Sequence, residues 1–257
     1  MKKPRYDVQD QKLIIFDLDG TLTESKAAID NEMALLLSDL LNKRLVAILG
    51  GGSYTQFQNQ LLAHLKLNEQ RLKHLYLFPT SGASFYTHKK ERFVRTYEHQ
   101  LSPRELDKIR QAFQNAFMQI GYQNPKSLYG ELIENRGTQV TFSALGQEAP
   151  LEEKKRWNAT SDRRKELQVI LQKELPEFAV RLGGLTSIDV TKKGIDKAFG
   201  VKQIMESLKI AKDDIIFVGD ALYEGGNDFA VKSTGVKTVE VTGPEETKKF
   251  IRSILEI

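Results

Sequence analysis

Short apolar runs that stop at acidic or glycine-rich turns, separated by amphipathic stretches, set the pattern of this chain. Within Lys12 to Phe16, Leu13-Ile14-Ile15-Phe16 is continuously apolar and halts at Asp17-Leu18-Asp19-Gly20, which predicts a buried strand feeding a tight turn. Ser25 to Asn42 then places Ile29, Met33, Leu36, Leu37, Leu40 and Leu41 at helical spacing. A second apolar run, Leu45 to Leu49, closes in Gly50-Gly51-Gly52-Ser53 and leads into a predicted helix through Leu65. Buried strand alternating with helix is the grammar of a parallel α/β sheet. The same grammar returns near the C-terminus, with a helix over Lys197 to Leu208 and a strand over Asp214 to Val218 that runs into Gly219-Asp220. A strand over Lys237 to Val241 and a helix from Pro244 onward complete it.

Between these blocks the pattern changes. Strand-like stretches (Arg92 to Glu98, Gln139 to Leu145, Phe178 to Leu182) alternate with two long polar helices. The first helix starts at Ser102-Pro103-Arg104-Glu105, a capping box with Pro at the first helical position. The second runs from about Asp162 to Leu175. The expected organisation is a core sheet built from both ends of the chain, residues 1–87 and 187–257, with an α+β domain inserted at residues 88–186.

Composition narrows the chemistry. The 257 residues include no cysteine, which removes disulfide scaffolds, thiolate zinc sites and cysteine nucleophiles and leaves oxygen or imidazole as metal ligands. With 28% charged residues but only 18 Gly and 7 Pro, the chain lacks the bias of a disordered one. A net charge of +4 comes from Lys and Arg interspersed with Asp and Glu, the signature of a mixed-charge surface rather than of a nucleic-acid partner. The N-terminal MKKPRYDVQDQK is polar and meets only a short apolar stretch, so neither a secretory leader nor a membrane span is expected and the protein is read as cytoplasmic.

Asp17 and Asp19 stand two apart at the carboxyl end of an apolar strand, where open parallel sheets place their ligand crevices. One such Asp would suffice to cap the following helix. Two carboxylates beside a dry strand repel each other unless a cation or a shared proton compensates. A further strand end supplies Asp220, and the loop beyond it adds Asn227 and Asp228. If these strands neighbour one another, the oxygens converge into a hard site suited to Mg²⁺ and phosphate. Gly50-Gly51-Gly52-Ser53 offers backbone N–H groups and a hydroxyl at a helix start, a phosphate cradle in which Gly52 and Ser53 are the candidate contacts. Lys193, just before the helix leading back to the Asp220 strand, is a candidate to neutralise both carboxylates and phosphate, with Lys197 as the alternative.

Asp17-Leu18-Asp19-Gly20-Thr21-Leu22-Thr23, then Ser53, Lys193 and Gly219-Asp220 with Gly225-Gly226-Asn227-Asp228, resembles the four motifs of the haloacid dehalogenase-like (HAD) phosphatase superfamily. The place of the insertion resembles the type IIB, Cof-like cap. Gly51-Gly52-Ser53, Leu77-Phe78-Pro79, Ile133-Glu134-Asn135-Arg136, Ser143-Ala144-Leu145-Gly146, Ser187-Ile188-Asp189-Val190 and Gly194-Ile195-Asp196-Lys197 are most similar to the eukaryotic-type phosphomannomutases. The resemblance implies an α/β fold: a Rossmann-like, doubly wound core with an inserted α+β cap. It also implies Mg²⁺, an aspartyl-phosphate intermediate and a small phosphorylated sugar as substrate, with a homodimer allowed. In its terms Asp17 is the nucleophile and Asp19 the general acid/base, while Ser53 and Lys193 bind the transferring phosphoryl group. Asp17, the Asp19 carbonyl, Asp220 and Asn227 or Asp228 hold the metal. Lys26, Arg136, Ser187 and Asp189 match positions that contact sugar or phosphate.

The chain departs from the resemblance at Tyr129 and Gln147, which stand where arginines are expected. Neutral hydrogen bonds grip phosphate less well than a charged bidentate fork. A Mg²⁺-dependent phosphohydrolase or phosphotransferase of a small phosphorylated sugar is therefore expected, with hydrolysis ahead of phosphomannomutase activity. A phospho-acceptor signalling domain and a silent sugar-phosphate binder are the non-enzymatic alternatives; the paired aspartates and the large insertion argue against the first, the complete set of carboxylates against the second.

Overall fold

The computed structural model describes residues 11–125, 127–160 and 162–256. The polar N-terminal stretch, expected not to be a leader, begins outside them. Among the described residues the strands are β1 (Leu13–Phe16), β2 (Leu45–Leu49), β3 (Leu75–Phe78), β4 (Ser84–Lys89), β5 (Arg92–Glu98), β6 (Ile133–Asn135), β7 (Gln139–Ser143), β8 (Phe178–Gly183), β9 (Ser187–Lys192), β10 (Ile215–Gly219) and β11 (Lys237–Glu240). No helix among these residues is long and apolar enough to cross a membrane. The chain divides into two compact units, Met1–Glu98 with Ile195–Ile257, and His99–Gly194.

The first unit holds a seven-stranded sheet in the order β11-β10-β1-β2-β3-β4-β5. β11, β10, β1, β2 and β3 are parallel; β4 and β5 are antiparallel additions at one edge. From β1 the chain winds through β2 to β3 in one direction, and β10 and β11 extend the sheet in the other. This doubly wound arrangement reverses between β1 and β10, and it is outside the carboxyl ends of the strands at such a reversal that open α/β sheets bind their ligands. Both faces are covered, which is why these strands read as continuous apolar runs. Ile14, Phe16, Ile48 and Val218 pack with Met33 and Leu37 of the helix Asn31–Lys43 and Phe250 and Ile254 of the helix Pro244–Leu255. Leu13, Ile15, Leu49 and Phe217 pack with Val201 and Ile204 of the helix Lys197–Leu208.

The second unit is an antiparallel sheet, β6-β7-β9-β8. Val140, Phe142, Ile188 and Val190 pack with Ile109 and Phe113 of the helix Pro103–Ile120 and with Leu167 and Leu171 of the helix Arg164–Glu174. The predicted capping box is formed: the Ser102 hydroxyl accepts the Glu105 N–H, and Glu105 accepts the Ser102 N–H. Strand alternation puts Gln139, Thr141 and Ser143 opposite Thr191, Asp189 and Ser187 on the other, polar face.

Three expectations need correction. The boundaries fall at residues 98/99 and 194/195 rather than 87/88 and 186/187. β5 hairpins onto β4 through Lys90-Glu91, both at positive φ, and so belongs to the first sheet; β9 pairs with β7 and β8 and so belongs to the second. The first helix starts at Asn31, not Ser25, because the Asp30 carboxylate accepts the Met33 N–H and caps it there. β3, β4, β6 and β9 are strands that the hydrophobic pattern does not predict.

After β3, Thr80 and Ser81 both adopt left-handed backbone, at φ 50° and 57°. Their N–H groups donate at 2.9 Å to the carbonyls of Gly52 and Gly50, which ties this turn to the glycine-rich loop. Gly82, at φ +82°, leaves no room for a Cβ against the Gly200 backbone in the helix Lys197–Leu208. Gly82→Ala is expected to lower unfolding stability by about 2 kcal/mol. Urea denaturation checks this, and an unchanged midpoint would refute the close approach.

Candidate active site

Parallel pairing sets Phe16 opposite Val218, and the Asp17 N–H donates to the Val218 carbonyl at 3.0 Å, so residues after β1 and β10 emerge side by side. Carboxylate oxygens of Asp17, Asp220 and Asp228 lie within 4.8 Å of one another. Asp17 and Asp228 are buried and Asp220 is half-buried. Two glycines permit this approach: a Cβ on Gly20, which is at φ +84°, would overlap the Asp220 carboxylate, and one on Gly219 would overlap that of Asp228.

Lys197 closes the cluster. It begins the helix Lys197–Leu208, which Asp196 caps by accepting the Phe199 N–H at 2.9 Å. Its Nζ lies 2.7 Å from Asp17 Oδ1 and also pairs with Asp228 Oδ1, with its side chain 2% exposed. Asp228 Oδ2 accepts the Ala221 N–H at 3.1 Å, and the Thr21 hydroxyl donates to Asp220 at 3.2 Å. Burial lifts Asp17 to about 8; the Lys197 charge opposes the rise, and Asp228 and Asp220 add to it. Asp220 is raised by burial and by Asp228. Burial works against the charge of Lys197, but Asp17 and Asp228 outweigh it and raise its pKa.

One ammonium therefore faces three carboxylates, and full ionisation leaves two surplus negative charges. A proton on Asp17 or a divalent cation relieves that excess. An all-oxygen, overcharged and largely dry donor set fits a hard cation. Because Asp17 is raised above its ordinary 3.8, its contribution to stability without a cation is full below that value and is lost as pH rises through about 8. Added Mg²⁺ competes with the proton, so its effect on Tm should be small near about pH 6 and larger near about pH 8.5. Thermal melts across that range check the sign; a pH-independent shift would place the cation elsewhere.

The Asp19 carboxylate is not in this group. It accepts the Lys26 N–H at 2.5 Å and the side-chain amides of Gln56 at 2.9 Å and Gln60 at 3.0 Å. Lys26 is thus beside Asp19 through its backbone, in a left-handed conformation at φ 60°. Ser53 caps the helix Tyr54–Gln60, its hydroxyl oxygen accepting the Gln56 N–H at 3.3 Å, which leaves its own O–H as a donor.

Of two pairs of alternatives the structure brings one member of each to the cluster. Lys193 is exposed in the second unit, whereas Lys197, one helical turn onward, is the lysine on Asp17. Asn227 is exposed, whereas the next residue, Asp228, turns into the cluster. Arg136, Ser187 and Asp189 lie in the second unit. Arg136 pairs with Glu134 at 2.8 Å, the Ser187 hydroxyl meets that of Ser143 at 3.0 Å, and Asp189 accepts the Thr141 hydroxyl at 2.7 Å. Tyr129 donates to Glu153 at 2.8 Å, and the Gln147 amide donates to the Ser143 hydroxyl. Thr21, Gln56 and Gln60 were missed; the glutamines' spacing of four, directly after the glycine loop, puts both on one helix face and was the available signal.

A model of the eukaryotic phosphomannomutase family matches residues 33–257. The chain belongs to the eukaryotic phosphomannomutase family. Among its relatives in that family, the phosphomannomutase of Saccharomyces cerevisiae is 26% identical over 259 residues, spanning 98% of this chain and 97% of the yeast protein. Phosphomannomutase 1 of Homo sapiens is 28% identical over 253 residues, spanning 96% of this chain and 93% of the human protein. These alignments are long enough to take in Asp17 and Asp19, which precede the family match. Solved structures share the fold. An IMP-bound, truncated IMP-nucleotidase of Plasmodium falciparum superposes with a TM-score of 0.68 at 19% identity, over 97% of this chain and 69% of that one. A trehalose-6-phosphate phosphatase of Aspergillus fumigatus gives 0.56 at 16%, over 96% and 94%. The protein is an enzyme of the phosphomannomutase family.

Proposed function

We propose that the protein is a Mg²⁺-dependent phosphohydrolase of a small phosphorylated sugar, with a HAD-type aspartyl-phosphate step in the first unit and a Cof-like, specificity-giving second unit. The observation that carries this reading is Asp17, buried at the end of β1 and held by Lys197 beside Asp220 and Asp228. A carboxylate attacks a phosphate dianion poorly because like charges repel, and Lys197 lessens that repulsion. Mg²⁺, held by Asp17, Asp220, Asp228 and the Asp19 carbonyl, supplies further charge neutralisation when bound. In the first step an Asp17 oxygen bonds to phosphorus, the sugar oxygen leaves, and Asp19 gives that oxygen a proton. In the second, water bonds to phosphorus and gives its proton to Asp19 as the Asp17–phosphorus bond breaks, releasing phosphate. Ser53 and the Gly52 N–H are the phosphate contacts, and Arg136, Ser187 and Asp189 the sugar contacts. We place the enzyme in the cytoplasm.

Family membership favours a second reading, interconversion of mannose 1-phosphate and mannose 6-phosphate. That reaction needs a grip on a second phosphate. Tyr129 and Gln147 are uncharged and already hydrogen-bonded within their own unit, so hydrolysis is placed first. Incubation with mannose 1-phosphate and a catalytic amount of hexose 1,6-bisphosphate should release free phosphate. Accumulation of the 6-phosphate without free phosphate would overturn hydrolysis in favour of the mutase.

A further inference from the structure

The proton-transfer role assigned to Asp19 leaves open what aims its carboxylate, and the two glutamines that hold it lie outside every motif singled out above. Asp19 Oδ1 accepts two donors, the Lys26 N–H and Gln60 Nε2, while Oδ2 accepts one, Gln56 Nε2. A carboxylate oxygen takes about two such bonds. The one acceptor position left therefore belongs to Oδ2, the oxygen that Gln56 orients.

Both glutamines are placed by features of the fold. Ser53 caps their helix, and the spacing of four puts both side chains on one face. Gln56 reaches Asp19 by lying across Gly52, where a Cβ would overlap its amide group. Gln60 is 4% exposed and also ties down the loop before the Asn31–Lys43 helix: its side-chain Nε2 donates to the Ala27 carbonyl at 2.9 Å, and its backbone carbonyl accepts the Ile29 N–H at 2.9 Å. That tether fixes the segment from which the Lys26 N–H points at Asp19. Gln60 makes these bonds although its Oε1 is buried without a partner. A methionine would fill similar space without burying an unpaired oxygen, so packing alone does not account for the amide.

We propose that Gln56 and Gln60 are positioning residues that aim Asp19, leaving Oδ2 as the oxygen that exchanges the proton with the departing alcohol. The inference rests on the phosphohydrolase reading given above. It predicts a dependence on the leaving group. A nitrophenolate departs without a proton, whereas a sugar alkoxide needs one, so a misaimed Asp19 penalises only the sugar ester.

The test compares kcat/KM for p-nitrophenyl phosphate and mannose 6-phosphate in wild type, Gln56→Met, Gln60→Met and Asp19→Asn. Because kcat/KM reports steps up to the first irreversible one, it isolates departure of the alcohol. Each glutamine variant should lose about tenfold or more on the sugar phosphate and stay within about threefold on the aryl phosphate. In an Asp19→Asn background the glutamine substitutions should leave the ratio of the two esters unchanged. Equal losses on both esters, or no loss on either, would overturn the positioning role. Wild-type protein that hydrolyses neither ester would overturn the functional reading and this inference with it. If Gln60→Met fails to fold, half-buried Gln56 gives the same comparison alone.

Discussion

Replacing Asp17 by Asn is expected to abolish phosphoryl transfer while leaving the protein folded. The amide matches the carboxylate in size, and its oxygen can still accept from Lys197, which keeps its pairing with Asp228. What disappears is the anionic oxygen that bonds to phosphorus, and loss of a nucleophile costs on the order of 10⁴-fold or more in turnover. Stability should move the other way at alkaline pH. Asp17 is buried and raised to about 8, so without a cation its ionisation above that value burdens the native state. Removing the charge relieves the burden, and Asp17→Asn should melt no lower than wild type at about pH 9 without Mg²⁺. Phosphate release and thermal melts on the same samples check both halves. Retained turnover would dismiss Asp17 as nucleophile, and a collapsed fold would mean that the Asp17–Lys197 pair is chiefly structural.

The strand ends were the most legible part of this molecule. Leu13 to Phe16 and Ile215 to Val218 are apolar on both faces because both faces are covered, so a continuous run and its abrupt acidic stop were visible without coordinates. That Asp17 and Asp220 meet follows from β1 and β10 being neighbours, which the sequence leaves as a condition and the sheet order establishes. Selection within a short loop was not legible. Lys193 and Lys197 are four residues apart, and although the helix over Lys197 to Leu208 is expected, only its packing against β1 decides that its first residue enters the core and meets Asp17. Asn227 and Asp228 differ by one position, and the Ala221 N–H bond to Asp228 decides between them. The unit boundaries were misplaced for a related reason. β5 and β9 are amphipathic strands whose partners are set by long-range pairing, and local pattern carries no information about partner choice. Gln56 and Gln60 look like ordinary polar helix residues until Asp19 is seen against them.

Lys197→Met is expected to have the largest effect on stability in the chain, together with loss of turnover. The side chain is 2% exposed and lies between two carboxylates that are themselves 3% and 0% exposed. Methionine fills most of the volume, so little of the penalty is a cavity. It removes the charge that lets Asp17 and Asp228 share a dry space, and breaking a buried pair from one side costs about 3–5 kcal/mol. Two further measurements separate electrostatics from packing. Adding Asp228→Asn to Lys197→Met removes one of the stranded charges and should recover part of the lost stability, a non-additive result that two independent packing defects would not give. Mg²⁺ should raise the Tm of Lys197→Met by more than that of wild type, because the ion then offsets three surplus charges instead of two. Lys193→Met, at an exposed position, should change neither melting temperature nor turnover. Wild-type stability in Lys197→Met, or loss of turnover in Lys193→Met, would reverse the assignment of the lysine. The outcome turns on desolvation: the same three acids at the surface would tolerate losing their lysine, and only because the ends of β1 and β10 are dry must a cation be built into the fold.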